Sequence, residues 1–452
     1  MAKIKTIKLL AFLLALPLLG LGCKGSGTVP ADALEPVTLS YWRVFDEPSD
    51  FTDTIAAFRQ TYPHINVQVR KLRIEEYEDA IIRALAEGNG PDIISVHAAQ
   101  LKQYQNLLSP MPPSATLPAT VVGSNNKSTV TLQTVKLPSA QDLRAAFIDT
   151  VSQDVTWGGQ IYGLPLSVDT MVLYYNRQLL NQANVPAAPR TWEELKEAVK
   201  ALTIQDQNGN IIQSGAAMGG ARNINRGPDI LAALMMQNGT EMTRSGRVAF
   251  SEVPANLAGG TVVPGRDALR FYTDFASPAK EVYAWNENLP ESLDAFANGQ
   301  LAFFFGYAYH LPLIRSLAPG IDFGIAKFPQ IAATGRQVNV ANYWFEGVTK
   351  QSKHKNEAWG FIQFATSERG VGQFLLKSGK PTALRTLIAG QRANPELAPF
   401  ADQLLTAQNW YHGGNAAAME EAFRTAIAQV VAGILEPDAA ISQAAQNVGL
   451  TY

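Results

Sequence analysis

Strand-like and helix-like hydrophobic patterns alternate over residues 38–96, which limits the folds open to this chain. The order is strand, helix, strand, helix, strand, in the segments 38–42, 51–62, 65–69, 74–85 and 93–96. The helical segments repeat apolar residues every three or four positions, whereas the strand segments alternate or are wholly apolar. This order is the βαβ pattern, so we predict an α/β lobe built on a mostly parallel sheet.

The same alternation resumes after Gln160 and continues to the end of the chain. Thr191 and Glu194 have the spacing of a helix capping box. Later helices are predicted to begin near Pro228, Arg266, Pro290 and Lys355, with a buried strand at 301–307 and a helix over 417–434. The length of 452 residues suits two or three domains. Because no repeat and no low-complexity linker separates them, we expect two lobes connected by several crossings of the chain.

Residues 109–140 differ from the segments around them. They are rich in serine, threonine, proline and asparagine. Such residues favour turns and loops. We therefore predict an irregular surface excursion from the first lobe.

The N-terminus has the pattern of an export signal. Lys3, Lys5 and Lys8 precede an apolar run at 9–22, and Cys23 follows. A helix of this length rises about 21 Å, too short to span a bilayer, so we predict a signal peptide over 1–22. The arrangement resembles a bacterial lipoprotein signal, which implies a lipid on Cys23 and a tether over 23–36. An ordinary secretory signal with an incidental cysteine is the alternative.

Charge and motif content exclude several classes of function. The net charge is −2, and loss of residues 1–22 leaves 34 basic and 39 acidic side chains, a net −5, which disfavours nucleic-acid binding. A single cysteine forms no internal disulfide and no cysteine-based zinc site. The five histidines show no close metal-ligand spacing, and neither a Walker loop nor a GxSxG motif occurs. We therefore expect no metal, no cofactor and no catalytic role.

Aromatic residues near predicted strand ends are the better functional candidates. In open α/β sheets, ligands collect at the carboxyl ends of strands. An aromatic ring can cover the apolar face of a sugar while nearby polar side chains bind its hydroxyl groups. Asp46, Glu47 and Asp169 keep a second possibility open, because two such carboxylates are the machinery of a glycosidase.

Five segments carry a resemblance to a known family. They are FTDTIAAFRQTYPHINVQV (51–69), RALAEGNGPDIISVH (83–97), GQIYGLPLSVDTMVLYYNRQLLNQANVPAAPRTWEELKEAVKAL (159–202), ESLDAFANGQLAFFFGYAYH (291–310) and SKHKNEAWGFIQFATSERGVGQFL (352–375). Together they resemble the family 1 extracellular solute-binding proteins of ABC importers, relatives of maltose- and glycerol-phosphate-binding proteins. The resemblance runs in the family's order from about residue 37 to the end.

The resemblance implies a two-lobed α/β periplasmic-binding-protein fold (type II-like), with a ligand cleft between the lobes and a multi-strand hinge. The first lobe is expected to contain 37–168 and 331–375, and the second 169–330 and 376–452. Crossings are expected near 166–170, near 328–340 and after 375. By position, the resemblance implies a cleft wall of eleven residues: Trp42, Asp46, Glu47, His97, Asp169, Arg222, Trp285, Tyr307, Tyr343, Trp344 and Trp410.

The function implied is capture of a sugar, in particular an oligosaccharide, and its delivery to an ABC permease. The protein is expected to be a monomer anchored through Cys23 to the outer face of the cytoplasmic membrane, in a periplasm or at a cell surface. Two alternatives remain open. One is an exported carbohydrate-active enzyme that uses the loop carboxylates, and the other is a sensory or surface-interaction lipoprotein with the same fold.

Overall fold

The computed structural model describes residues 28–29, 35–122, 128–257 and 259–452. The predicted signal peptide and Cys23 lie outside the described residues, as does most of the predicted tether. In chain order the strands are β1 (Thr28–Val29), β2 (Val37–Arg43), β3 (Ile65–Lys71), β4 (Ile93–His97), β5 (Leu108–Ser109), β6 (Ser114–Val122), β7 (Ser128–Lys136), β8 (Thr156–Trp157), β9 (Gln160–Ile161), β10 (Leu164–Pro165), β11 (Asp169–Thr170), β12 (Val172–Asn176), β13 (Ile204–Gln205), β14 (Ile211–Ala216), β15 (Thr243–Arg244), β16 (Arg247–Val248), β17 (Leu301–Gly306), β18 (Phe323–Lys327), β19 (Asn339–Asn342), β20 (Trp344–Thr349) and β21 (Ala407–Gln408).

The helices lie between these strands and follow the predicted alternation. In chain order they are α1 (Thr52–Thr61), α2 (Ile74–Ala86), α3 (Leu101–Tyr104), α4 (Ala140–Ala146), α5 (Asp149–Asp154), α6 (Arg177–Gln182), α7 (Trp192–Leu202), α8 (Gly227–Gln237), α9 (Pro264–Asp274), α10 (Ser292–Ala297), α11 (His310–Leu317), α12 (Lys355–Ala365), α13 (Glu368–Ser378), α14 (Ile388–Arg392), α15 (Ala398–Ala401), α16 (Ala416–Val431) and α17 (Pro437–Gly449). Within the described part of the chain, none of them combines the length and the hydrophobicity that crossing a bilayer requires.

The first lobe is built on a mixed sheet with the strand order β10-β20-β4-β2-β3, and β5 also pairs with β20. β2 runs parallel to both β3 and β4, as the βαβ pattern predicts. β20 enters antiparallel beside β4. The carboxyl ends of β2 and β4 therefore meet at one edge of the sheet, next to the amino end of β20.

The second lobe contains a sheet with the order β13-β14-β17-β12-β18. β14 and β17 are parallel, whereas β12 runs antiparallel between β17 and β18. Every residue of β17 is buried, because its LAFFFG sequence is apolar on both faces. The loop that follows β17 reaches the boundary with the first lobe.

A third, small sheet joins the lobes. Its order is β11-β19-β21, with β11 antiparallel and β21 parallel to β19. Each strand belongs to a different passage of the chain between the lobes. Hydrogen bonds across this sheet hold the three passages side by side.

Two hydrophobic cores lie on either side of these connecting strands. The first core contains residues from Leu39 to Val168 and from Ala341 to Ala407. The second contains most of the buried apolar residues from Met171 to Val340 and, with Phe400, those after Tyr411. The expected division at 375/376 stays a prediction. The cores differ from the expected division in two stretches. Val338 and Val340 pack into the second core, and the buried apolar residues from Ala383 to Ala407, apart from Phe400, pack into the first.

The prediction of an irregular excursion over 109–140 is wrong. β6 and β7 form a long antiparallel hairpin in which Ser114 pairs with Lys136 and Val122 with Ser128. Ala115, Leu117 and Ala119 alternate inward and are fully buried, and β6 packs on α12. The frequent serine, threonine and proline residues hid this alternation, because threonine is favourable in strands and proline is tolerated at a sheet edge.

Candidate functional site

A cavity of about 520 Å³ lies between the two lobes. The first lobe contributes the residues at the ends of β2 and β4, and the second lobe contributes Tyr309, the segment before α8 and the first turns of α16. The connecting strand β11 forms part of its wall through Asp169. The fold thus places strand ends, loops and a hinge region around one space.

Five of the eleven predicted cleft residues line this cavity, namely Asp46, His97, Asp169, Tyr343 and Trp344. Their convergence follows from the topology, because the parallel strands β2 and β4 end at one edge. His97 and Trp344 are paired in register across β4 and β20, and their ring centroids lie 5.4 Å apart, edge to face. Whether any of them binds a ligand stays a prediction.

The charges at the end of β2 are buried and mutually paired. Arg43 and Asp46 are 4 % and 5 % exposed and form a salt bridge, and Lys380 Nζ lies 2.5 Å from the second oxygen of Asp46. Burial alone raises the pKa of Asp46, but the two cations more than offset it and hold that pKa below its usual range. Asp46 therefore stays ionised at neutral pH.

Arg43 also reaches the carboxylate of β20. Its guanidinium lies 3.6 Å from Glu346 Oε1, while Glu346 Oε2 accepts a 2.6 Å hydrogen bond from the Ser95 hydroxyl. The network contains two basic and two acidic side chains, so their charges balance and the cavity wall at this point has little net charge.

His97 is held as a neutral imidazole. Burial lowers its pKa below the usual value. Its Nδ1 accepts a hydrogen bond from the backbone N–H of Ala99, so the proton lies on Nε2, which donates to Asn342 Oδ1 at 2.9 Å. The ring is thus oriented by one residue of the first lobe and one residue of β19.

Asp169 lies on β11, and its carboxylate accepts hydrogen bonds from one backbone N–H of the same strand and one of the loop after β17. Oδ1 accepts from the N–H of Thr170 and Oδ2 from the N–H of Ala308, each at 2.8 Å. Burial raises its pKa to about 7, although these N–H donors and the more distant Lys380 act against that rise. Asp169 therefore links the connecting strand to the loop that carries Tyr309, and it titrates near neutral pH.

On the second-lobe side, the charges again have partners. Arg226 forms a salt bridge with Asp229, and Asp229 accepts a 2.6 Å hydrogen bond from the Tyr307 hydroxyl. Glu420 of α16 also faces the cavity, and burial raises its pKa even though Arg226 and Arg424 act to lower it.

Three predicted aromatic residues belong to the second core rather than to the cleft wall. Trp285 is 0 % exposed, and its Nε1 donates to Asn223 Oδ1 at 2.9 Å. Tyr307 is also fully buried. The ring of Trp410 stacks on Phe423 with centroids 5.6 Å apart. The expectation that these rings face the cleft is corrected. Trp285 lies in the loop after α9, Tyr307 and Trp410 follow β17 and β21, and all three rings pack into or against the second core.

Three predicted polar or aromatic residues lie away from the cavity lining, in local pairs. Glu47 binds Lys71 at 2.5 Å, and Arg222 binds Glu421 at 2.8 Å. The indole of Trp42 lies under the Arg70 guanidinium, 4.7 Å from it. Trp42 precedes Arg43 in β2, so alternation sends its side chain to the opposite face of the sheet from that of Arg43.

The cavity is also lined by residues outside the predicted set, among them Phe45, Arg226, Tyr309 and Glu420. Phe45 and Tyr309 had a visible signal, since each is an aromatic residue in a loop directly after a strand. Arg226 had a weaker signal, because it lies close in sequence to the predicted residue Arg222. Glu420 had none, because it reaches the cavity only through the packing of α16. Among the described residues, no three His, Cys, Asp or Glu side chains converge as a metal site.

Comparison with known proteins agrees with this architecture. Residues 45–372 match the family model of the bacterial extracellular solute-binding proteins. The chain belongs to this family. The match covers the sheet of the first lobe except β2, the sheet of the second lobe and the first two connecting strands. Most of the cavity lining of this solute-binding protein lies within the matched residues, whereas Arg43, Lys380 and Glu420 lie outside them.

Individual relatives of this solute-binding protein are distant. It is 22 % identical to the galactooligosaccharide-binding protein of Bacillus subtilis over 377 residues, which are 82 % of this chain and 78 % of that one. It is 22 % identical to a protein of Brucella abortus named as a binding protein, but that match spans only about half the length of either chain (53 % and 54 %).

Solved structures share the fold. The structure of the cyclic α-maltosyl-1,6-maltose binding protein of Arthrobacter globiformis is similar with a TM-score of 0.71 and 16 % identity, over 92 % of this chain and 99 % of that one. The two-lobed α/β fold expected from the sequence is therefore confirmed for this solute-binding protein.

Proposed function

We propose that this solute-binding protein captures an oligosaccharide in the cavity between its lobes and delivers it to an ABC permease. The observation that carries the proposal is the cavity itself, which combines aromatic rings with polar side chains contributed by both lobes. Such a site covers the apolar face of a sugar and binds its hydroxyl groups. The names of the Bacillus and Arthrobacter relatives, both oligosaccharide binders, support this substrate class.

The charge pairing favours a neutral ligand. Arg43, Lys380 and Arg226 each have a carboxylate partner within the protein. An anionic ligand would have to separate these pairs and leave a buried carboxylate unpaired, at a cost of several kcal/mol. The hydroxyl groups of a neutral sugar can form hydrogen bonds with the same residues without breaking these salt bridges.

Of the predicted site residues, we propose Asp46, His97, Asp169, Tyr343 and Trp344 as ligand contacts. We expect the lobes to close around a bound ligand by a hinge motion, in which the three connecting strands bend. A ligand that contacts both lobes stabilises the closed arrangement by its differential affinity for that arrangement.

The test is a calorimetric screen of the purified protein against maltose, maltotetraose and galactooligosaccharides. We expect binding of at least one, weakened about tenfold or more by Trp344→Ala, because a stacked aromatic contact contributes about 0.5–1.5 kcal/mol beyond its buried area. Trp157→Ala is the matched control, since Trp157 is exposed in β8 and lies outside the cavity. Hydrolysis of the bound sugar would favour the enzyme alternative. Absence of binding to all three would contradict the proposal.

We also propose that the chain is anchored by a lipid on Cys23 at the outer face of the cytoplasmic membrane. The support is the lipoprotein-like pattern at 1–23 together with membership of an extracellular family. In cells fed an alkyne-labelled fatty acid, the wild-type protein should be labelled and sediment with membranes. Cys23→Ser should be unlabelled, and an unlabelled wild-type protein would favour the ordinary secretory signal.

Delivery to a permease is tested separately. Neighbouring reading frames that encode two permease subunits, and loss of sugar uptake on deletion of this protein, are the expected results. Sugar binding without any effect on uptake would favour the sensory alternative.

A further inference from the structure

The loop after β2 contains a strained turn at Phe45. Its φ angle is +67°, in a region that bulky side chains rarely adopt. The backbone N–H of Asp46 donates to the carbonyl of Val44 at 2.9 Å, two residues earlier, so Phe45 is the central residue of a γ-turn. A γ-turn with positive φ is rare and strained. Strain of this kind persists only where the surroundings enforce it, and it concentrates at ligand-binding sites.

The buried ion cluster described above enforces the turn from both sides. Arg43 and Asp46 flank the turn and are joined by their salt bridge, and Lys380 fixes the second oxygen of Asp46. The guanidinium of Arg43 also packs on the face of the Phe51 ring, 4.5 Å from its centroid, in a cation–π contact. The residues on either side of Phe45 therefore cannot relax without breaking buried charge pairs.

The effect of the turn is to direct an apolar ring into the cavity. Phe45 is 55 % exposed although it is a large hydrophobic residue. Its ring lies nearly parallel to that of Tyr309 from the second lobe, at an interplanar angle of 11° and a centroid distance of 6.5 Å. It also meets Trp344 edge to face at 5.9 Å. Three rings from two lobes thus converge at one side of the cavity.

We propose that Phe45 is a specificity-determining residue, which stacks on one face of a sugar ring of the ligand while Tyr309 stacks on the other face. This inference rests on the proposed function. A sugar ring between two aromatic faces, with carbon contacts of about 3.5–4 Å on each side, needs those faces about 7–8 Å apart. The centroids of the Phe45 and Tyr309 rings lie 6.5 Å apart, so the two side chains must shift apart locally to admit a sugar ring. Because one ring comes from each lobe, the sugar ring would connect the lobes directly.

The experiment measures maltotetraose affinity by calorimetry for the wild-type protein, Phe45→Leu, Phe45→Asn and Phe45→Trp. Leucine keeps the apolar bulk but has no flat face, asparagine tolerates positive φ but is not aromatic, and tryptophan restores a flat ring. We expect Leu and Asn to weaken binding about tenfold and Trp to remain within about threefold of the wild type. Thermal unfolding of each variant without sugar confirms that it is folded.

The outcomes separate the two proposals. If Phe45→Leu binds maltotetraose as tightly as the wild type does, Phe45 does not select the ligand by stacking, and the proposed function is unaffected. If Leu, Asn and Trp all weaken binding equally, a flat ring at this position does not restore affinity, which also overturns the inference. If the wild type binds neither maltotetraose nor any other saccharide, both proposals fail.

Discussion

Arg43, Asp46 and Glu346 show how single residues set the character of the cleft. Each is buried, and a buried charge is costly unless it is paired and hydrogen-bonded. All three find their partners within the protein, through salt bridges and the Ser95 hydroxyl. Beside these paired charges, the other side chains available to a ligand near this cluster are aromatic or neutral and polar, as for Phe45, Trp344 and His97.

The strain at Phe45 predicts a gain in stability when it is relieved. Phe45→Asn should raise the free energy of unfolding by about 1 kcal/mol, because asparagine adopts positive φ more readily and the phenyl ring is half exposed. Phe45→Leu retains the strain and should not stabilise. Urea unfolding without ligand measures both. A Phe45→Asn protein less stable than Phe45→Leu would show that ring contacts outweigh the strain.

Asp169 predicts a pH dependence of stability. Its pKa is raised by burial to about 7 in the folded protein, against an unfolded value near 4. The folded state therefore holds a proton that the unfolded state has lost, so this group's contribution to stability is complete below about pH 4 and disappears as the pH rises through about 7. Unfolding by urea at several pH values should show this loss in the wild type, and Asp169→Asn should reduce it. An equal slope in both proteins would contradict the raised pKa.

At the scale of elements, periodicity predicted the helices and strands well where one face is consistently apolar. α1, α2, α7, α16 and the parallel strands β2, β3 and β4 lie where the pattern placed them. The hairpin β6–β7 was missed, because its inward residues include two alanines and its outward residues are mainly threonine. A cleft residue such as Glu420 was missed for another reason. Its position depends on how helices pack, which no local pattern records.

The contact between α12 and the hairpin predicts a coupled pair of substitutions. A Cβ atom at Gly360 would lie 2.5 Å from Cδ2 of Leu117, which is fully buried. Gly360→Ala should therefore cost about 1–2 kcal/mol, although alanine favours helices by about 1 kcal/mol over glycine. In a Leu117→Ala background the same change should be neutral or stabilising. A double-mutant cycle by urea unfolding measures this coupling, and additive effects would contradict the packing.

At the scale of the whole molecule, Asp154 of the first lobe forms hydrogen bonds to two of the three chain segments that connect the lobes. This residue of α5 is 1 % exposed. It accepts hydrogen bonds from the Tyr343 hydroxyl at 2.7 Å and from His412 Nε2 at 2.9 Å, just after β19 and β21 respectively. The two-lobed fold could be predicted from the order of elements. This network could not, because its members lie 189 and 258 residues apart from Asp154.

His412 predicts that this connection weakens at high pH. Burial acts to lower its pKa, but the hydrogen bond and charge of Asp154 outweigh burial and raise the pKa above the usual 6.5. Its contribution to stability is therefore complete below about pH 6.5 and is lost as the pH rises through the folded-state pKa. The wild type should lose stability relative to His412→Gln, which has no titrating ring, as the pH rises above about 6.5. Parallel stability curves for the two proteins above that pH would contradict the ion pair.

The position of β20 inside the first sheet has a consequence for biosynthesis. Ser95 and Glu346 are hydrogen-bonded neighbours in that sheet, yet 251 positions separate them in the chain. The edge of β4 therefore has no partner until most of the polypeptide has left the ribosome, and contacts between such distant residues form slowly. The first lobe is therefore completed only late in synthesis, whereas β2, β3 and β4 can pair early.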